Sequence, residues 1–260
     1  MVGKIRRNDF LKAQNNLLEF FSLKLRHDLC EGSKKHIHRG LIIRLLMMEK
    51  AILDLDSEVG NSNEPLSHNL SIELTLLLNA YSLNLAGSLD NLAWALAYQH
   101  NLIKDIDKDN SKHRRLAQLV SKDFLKLLQE HRVGALHTML EPLQKWYWDI
   151  REFRDPFAHR IPLYVPPAVC TEDDEQRAEE WDKQAAELMA AGEWESGRSL
   201  MYQSLNVGQH LPVFIAEVLK IQIYDLAGRI DDDHGIWLGV VDNVLQEGFH
   251  SKFQLKMQDG

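Results

Sequence analysis

The chain has 260 residues, 45% of them hydrophobic and 26% charged, with a formal net charge of −8. This is globular composition with enough chain for one large core, or a core with an elaboration. The acidic total argues against non-specific coating of nucleic acid, which needs many phosphate contacts, and two cysteines (Cys30 and Cys170) provide no disulfide framework and no zinc spacing. The charge is unevenly spread. Residues 1–50 carry eleven Lys and Arg against five Asp and Glu, whereas 171–200 carry three against ten. That asymmetry leaves room for a local basic groove, although both segments also read as solvated helix faces.

Helix signals dominate in chain order. Met-Val-Gly-Lys-Ile-Arg-Arg leads into polar sequence rather than an apolar run, so no secretion signal is expected and the expected location is cytoplasmic. Phe10, Ala13, Leu17, Phe21 and Leu25 mark an amphipathic helix over about 8–28. Gly32-Ser33 interrupts it, with Ser33 as the expected cap of a second helix over about 34–59, whose Leu41, Leu45, Met48, Ile52, Leu55 and Val59 recur at near-heptad spacing. The breaker Gly60–Pro65 precedes a long helix from Ser71 to about Lys104, apolar on nearly all sides as a central helix should be. Asn79, Asn84, Ser88, Asp90 and Asn91 interrupt its apolar window and exclude a membrane span there. Gly87, midway along, suits close helix approach or a bend. A helix containing Leu116, Leu119, Val120, Phe124, Leu127 and Leu128 follows, and Gly134 separates it from the next.

After Pro167 the character changes. Residues 172–195 form an acidic helix facing solvent except at Trp181, Leu188 and Trp194. Val213, Ile215, Ile221 and Ile223 alternate as short strands do, while Val218, Leu219 and Ile223 fit a helix nearly as well. Asp231-Asp-Asp-His234-Gly reads as a turn or a helix start, followed by a short helix around Trp237 to Gln246. The expected fold is mainly α, with a helical bundle over 1–166 and a smaller appended element over 167–260 that accommodates a short β-hairpin.

The most informative stretch joins these two parts. Leu136, Leu140, Leu143, Tyr147 and Ile150 form one apolar helix stripe, and the next position of that stripe is Arg154. A guanidinium at an inward-facing position must be neutralised by a carboxylate or must line a cleft that receives an anion. Arg154 opens Arg-Asp-Pro-Phe-Ala-His-Arg-Ile-Pro-Leu-Tyr-Val-Pro-Pro, which holds four of the seven prolines. Histidine can move a proton near neutral pH, and arginine can grip phosphate oxygens at two points without ever deprotonating. Five residues apart on a straight helix, Arg154 and His159 diverge by about 140°. A kink at Pro156, with Asp155 as a helix N-cap and Pro156 at the first helical position, would permit convergence. Spacing alone is unspecific, since Arg132/His137 and Arg229/His234 share it.

This motif at the end of a bundle helix resembles the signature of HEPN-superfamily proteins: an arginine, a polar residue, then a histidine four to six positions after the arginine. Leu89-Asp-Asn-Leu-Ala-Trp94 on the central helix supports the resemblance, which covers the chain to about Pro167. The resemblance implies an all-α homodimer with its two sites facing across the interface. It implies metal-independent RNA cleavage leaving a 2′,3′-cyclic phosphate, no cofactor, and a role in toxin–antitoxin or phage-defence systems with a restraining protein partner. Arg154 and His159 would then be catalytic and Asp155 the accessory polar residue, with Arg160, Arg151 and Trp148 as substrate contacts. Pro156 inside the motif departs from that pattern.

Other readings stand beside this one. Arg154 can pair with a buried acid such as Asp90, leaving a non-catalytic helical module that binds RNA, a nucleotide or protein. Trp146, Tyr147, Trp148, Phe153 and Phe157 can stack bases or can be core. No metal is expected: His36-x-His38 lies among Lys34, Lys35 and Arg39, Glu247-x-x-His250 lacks the further ligands of a di-metal bundle, and Asp231–Asp233 lacks calcium-loop spacing.

Overall fold

The computed structural model describes residues 12, 15–17, 19, 29–58, 64–108, 111–131, 133–159, 162–217 and 221–249, with residues 155–159 and Glu217 described by backbone alone. The expected helix over 8–28 therefore lies almost wholly outside the described residues, although its Leu17 is buried in the core. The fold is mainly α with one short antiparallel hairpin. No helix among the described residues is long and apolar enough to cross a membrane.

The first described helix, α1 (Glu31–His36), passes through a π-helical turn at Ile37–Leu41 into α2 (Ile42–Glu58). Cys30, not Ser33, is the N-cap, and Ser33 is buried one turn in, where its Oγ donates to the Ala95 carbonyl at 2.6 Å. Leu41, Leu45, Met48, Ile52 and Leu55 are all buried, as their spacing required. They pack on the central helix α3 (His68–Gln99). Ser67 rather than Ser71 caps α3, accepting from the Leu70 N–H, and the helix stops at Gln99, before left-handed Asn101 and Asp105. Seventeen of its residues are buried, among them Asn79, Asn84 and Ser88, so the helix is enclosed over its second half while Ile72, Glu73 and Leu76 stay exposed near its start.

The single helix expected around residues 116–128 is two, α4 (Ser111–Leu116) and α5 (Lys122–Glu130), because Ser121 caps the second by accepting from the Phe124 N–H. Helix α6 (Gly134–Leu140) continues through a 3₁₀ turn over Glu141–Leu143, which carries Pro142, into α7 (Gln144–His159). The apolar stripe holds, with Leu136, Leu140, Tyr147 and Ile150 buried. The restart at Pro156 does not: helix α7 runs through Pro156 to His159, so Asp155 is an interior helix residue and not an N-cap.

The acidic segment is α8 (Glu172–Ala190), opened by a Thr171–Asp174 capping box, and α9 (Trp194–Ser204) packs beside it. Trp194, expected to turn inward, is exposed. The hairpin forms from β1 (Val213–Glu217) and β2 (Ile221–Asp225) in the register Ile215↔Ile223. Asp225 then caps α10 (Leu226–Asn243), so Asp231–Gly235 lies inside a helix rather than at its start. The inward stripe begins earlier than expected, with Leu226, Ile230, His234, Trp237 and Val241 buried. Trp237 Nε1 donates to Ser88 Oγ on α3 at 2.7 Å, and a π-helical turn at Val244–Gly248 ends the described chain. The bundle, hairpin and α10 share one core, which α8 and α9 do not enter.

The segment following α7 is fastened from two sides. Alternate residues of an extended strand turn their backbone groups in opposite directions. Toward α3, the Leu163 N–H donates to Asn79 Oδ1 (3.1 Å), Asn79 Nδ2 donates to the Leu163 carbonyl (2.7 Å), the Val165 N–H donates to Thr75 Oγ1 (3.0 Å), and Ser71 Oγ donates to the Val165 carbonyl (2.6 Å). Toward the hairpin, Tyr164 exchanges both backbone hydrogen bonds with Ile215. Ser71, Thr75 and Asn79, spaced four apart on one helix face, thus replace a neighbouring strand.

Two expectations follow. Asn79→Ala leaves a buried N–H and a buried carbonyl of Leu163 without partners and should lower unfolding free energy by about 2–4 kcal/mol in urea titration, with the m-value unchanged. His234 is stacked on Trp237, and burial pushes its pKa down to about 3. Because the folded value lies below the unfolded one, the stability due to neutral His234 is complete above pH ~6.5 and is lost as pH falls toward 3. Between pH 7.5 and pH 4 this residue should account for about 3 kcal/mol of lost stability, and His234→Leu should flatten the denaturation profile over that range.

Candidate functional site

The site grows from the last three turns of α7 and the middle of α3. Trp148, Arg151 and Arg154 lie three residues apart and therefore share a side of α7. Tyr147, Ile150 and Phe153 are buried in the core, and Arg154 falls between Tyr147 and Ile150 around the helix, at the edge of that apolar stripe. Facing them on α3 is Asp90, whose carboxylate takes one guanidinium on each oxygen: Arg151 Nη1 donates to Oδ1 at 3.2 Å and Arg154 Nη1 to Oδ2 at 3.1 Å. Arg151 Nη1 also donates to the Tyr147 hydroxyl at 3.1 Å, and its guanidinium lies 5.9 Å from the Trp148 ring centre. Arg154 thus engages the carboxylate that the sequence offered as its alternative partner. The pair is not sealed, since the side chains of Arg154 and Asp90 keep 28% and 25% of their exposure.

A third guanidinium belongs to the site, one that sequence reasoning missed. Arg44 of α2 lies across Gly87 of α3 and donates from Nη1 to Asn84 Oδ1 at 3.1 Å. A Cβ at position 87 would come within 2.4 Å of the Arg44 guanidinium carbon, so the glycine is the gap that admits the side chain. Burial lowers the Arg44 pKa below its ordinary value, the Asp90 carboxylate opposes that shift, and the Arg154 charge adds to it. The three groups therefore feel one another's charge. Tyr147 is affected too: burial and then the Asp90 carboxylate push its phenol well above the ordinary range, keeping it a neutral hydrogen-bonding group. Gly40 and Asn91 mark the same close approach of α1–α2 to α3, because a Cβ at Gly40 would overlap the Asn91 side chain. A signal for Arg44 was present only as the pairing of an off-stripe arginine with a mid-helix glycine 43 residues later, and nothing local connects them.

The chain matches no family model, and no curated protein or solved structure is significantly similar to it.

Of the residues singled out from sequence, the structure brings Arg151, Arg154 and Trp148 together on one face. Asp155 and His159 are placed only as backbone positions of α7, and Arg160 lies outside the described residues. His159 is five positions beyond Arg154 on an unbroken helix, hence about 140° around its axis and about 7.5 Å further along it. The aromatic concentration divides: Trp146, Tyr147 and Phe153 are core, whereas Trp148 keeps 43% of its exposure beside the arginines. The Phe157 side chain lies outside the described residues.

The other sequence candidates have structural partners. His36 stacks on Trp94 and Tyr98. Arg229 pairs with Asp233 through Nε at 2.8 Å, and Asp233 also accepts from Trp146 Nε1 at 3.0 Å. His250 lies outside the described residues, and among those described no three His, Cys, Asp or Glu side chains gather as a metal site would need.

Asp90→Ala removes the shared counter-ion and leaves cations facing one another. It should cost about 1–2 kcal/mol, a charge-assisted value discounted for partial exposure, and the deficit should shrink as salt is added to the denaturation buffer.

Proposed function

We propose that the chain is a metal-independent endoribonuclease of the HEPN type, acting as a homodimer in the cytoplasm and restrained by a protein partner in a toxin–antitoxin or phage-defence setting. The observation that carries this reading is the arginine of Arg-Asp-x3-His on a half-open face, beside a second arginine and an exposed tryptophan. Arg154 would stabilise the charge that builds on the phosphoryl oxygens during attack by the internal 2′-hydroxyl. His159 would move the proton at the 2′-oxygen or the leaving oxygen, and Asp155 would orient one of the two. Arg151 and Arg160 would contact flanking phosphates, and Trp148 would stack a base.

The unbroken helix bears on how such a site is completed. With Arg154 and His159 turned about 140° apart on one helix, a phosphate held between two copies of the chain meets both residue types more readily than one held by a single copy. This supports a dimer.

The second reading is a non-catalytic helical module that binds RNA, a nucleotide or protein. Two observations favour it: Arg154 already has a counter-ion in Asp90, and the helix continues through Pro156 without restarting there. Incubation of the purified protein with total RNA in excess EDTA separates the two. The enzyme should produce fragments ending in 2′,3′-cyclic phosphate, and Arg154→Ala and His159→Ala should each slow cleavage by about 100-fold or more. No cleavage by a dimeric, partner-free preparation leaves the binding module.

A further inference from the structure

We infer that Arg44, Arg151 and Arg154 form one binding site for the phosphodiester backbone of single-stranded RNA, in which the Asp90 carboxylate is a built-in competitor of the phosphate. The inference rests on the RNA reading above and extends it to a residue outside the motif, Arg44, supplied by a different helix.

Three observations converge. The first is charge: among the described side chains of this cluster, two guanidinium groups pair with one carboxylate and a third, on Asn84, feels its charge, a surplus of two positive charges on a half-open face. A partly desolvated surplus of that size attracts an anion, and planar guanidinium groups match phosphate oxygens. The second is construction. Arg44 is held along α3 by Asn84 and by the gap at Gly87, one helical turn before Asp90, so a guanidinium from α2 lies near enough to feel the carboxylate that the α7 arginines share. A group placed between α2 and α7 therefore meets guanidinium groups from both. The third is the neighbour: Trp148 is exposed next to Arg151, within reach of a base whose phosphate sits on the arginines. A free phosphate would use the arginines and not the ring, whereas single-stranded RNA would use both.

Asp90 then has a definite role. It neutralises two arginines while the site is empty, and it repels an incoming phosphate. Binding requires Arg151 and Arg154 to share their N–H groups between carboxylate and phosphate. The affinity of the parent is thereby held below what the three arginines alone would provide.

The test uses the intact chain and an uncleavable probe, a fluorescent 2′-O-methyl RNA oligonucleotide, with anisotropy read over a range of salt. Arg44→Gln should weaken binding about tenfold and make the slope of log K against log salt shallower by about 0.7, the value of one lost single-strand phosphate contact. Arg44→Lys keeps the charge without the planar group and should fall between the parent and Arg44→Gln. Asp90→Asn should bind about tenfold more tightly, as expected from removing a like charge beside the phosphate. Trp148→Ala should weaken the oligonucleotide and leave competition by inorganic phosphate unchanged. An unaltered affinity and salt slope in folded Arg44→Gln, or weaker binding by Asp90→Asn, overturns the proposal. Inorganic phosphate competing as tightly as the oligonucleotide binds would overturn the nucleic-acid assignment. If the parent binds with this Arg44 dependence but cuts no RNA in EDTA, the nuclease reading fails and the site stands. If it cuts RNA with Arg44→Gln unimpaired in binding, the reverse holds.

Discussion

Three polar side chains on one face of the central helix set the geometry on which the rest depends. Ser71, Thr75 and Asn79 would be liabilities on the face that this helix turns toward the core, because an unpaired polar group there costs a few kcal/mol. Here they are spaced to meet the backbone of Leu163 and Val165, which leave α7 as an extended strand. The strand's other face pairs with Ile215 of the hairpin. Every backbone group that this passage turns inward is thus answered, and Leu163 and Val165 can be buried. The same contacts fasten the exit of α7, and so the end of the motif, to α3 and β1.

Because α7 is fixed at its exit and packed on α3 through its apolar stripe, the side at the edge of that stripe has little freedom to drift. That side carries Trp148, Arg151 and Arg154, and α3 presents Asp90 to it. One carboxylate with one arginine on each oxygen is a stable arrangement at partial exposure, yet it undercompensates the local charge once Arg44 is included. Two guanidinium groups from one helix and one from another cannot all be neutralised by a single aspartate. The surplus gives the face its capacity for an anion, and the aspartate keeps that capacity in check.

Periodicity made a good deal of this visible in advance. The stripe from Leu136 to Ile150, the buried series Leu41 to Leu55 and the enclosure of the second half of α3 were all legible, because each follows from 3.6 residues per turn and from burying apolar area. The hairpin could be read from the alternation of Val213, Ile215, Ile221 and Ile223. Boundaries were less legible. Ser67 and Asp225 cap α3 and α10 ahead of Ser71 and of the aspartate run, which reads as a turn or a helix start, while Ser33 donates its hydroxyl to the Ala95 carbonyl and α1 starts after Cys30 without a side-chain cap. At Pro156 the local rule was overridden: α7 continues one turn past a residue that supplies no N–H, and its exit is secured by the contacts of Leu163 and Val165.

By itself, the sequence determined which residues face inward on each helix, that the fold is mainly α, and that an arginine stands where the α7 stripe calls for a hydrophobe; these are consequences of local spacing. It also named Asp90 as a candidate partner for that arginine. Only the tertiary structure decided that Asp90 serves Arg151 as well, that Arg44 lies across the gap at Gly87 on Asn84, one turn from that carboxylate, and that Trp148 stays exposed where Trp146, Tyr147 and Phe153 are buried. Those facts depend on how α2, α3 and α7 approach one another, and the closeness of that approach is set by single small residues far apart in the chain. No local pattern encodes such a distance.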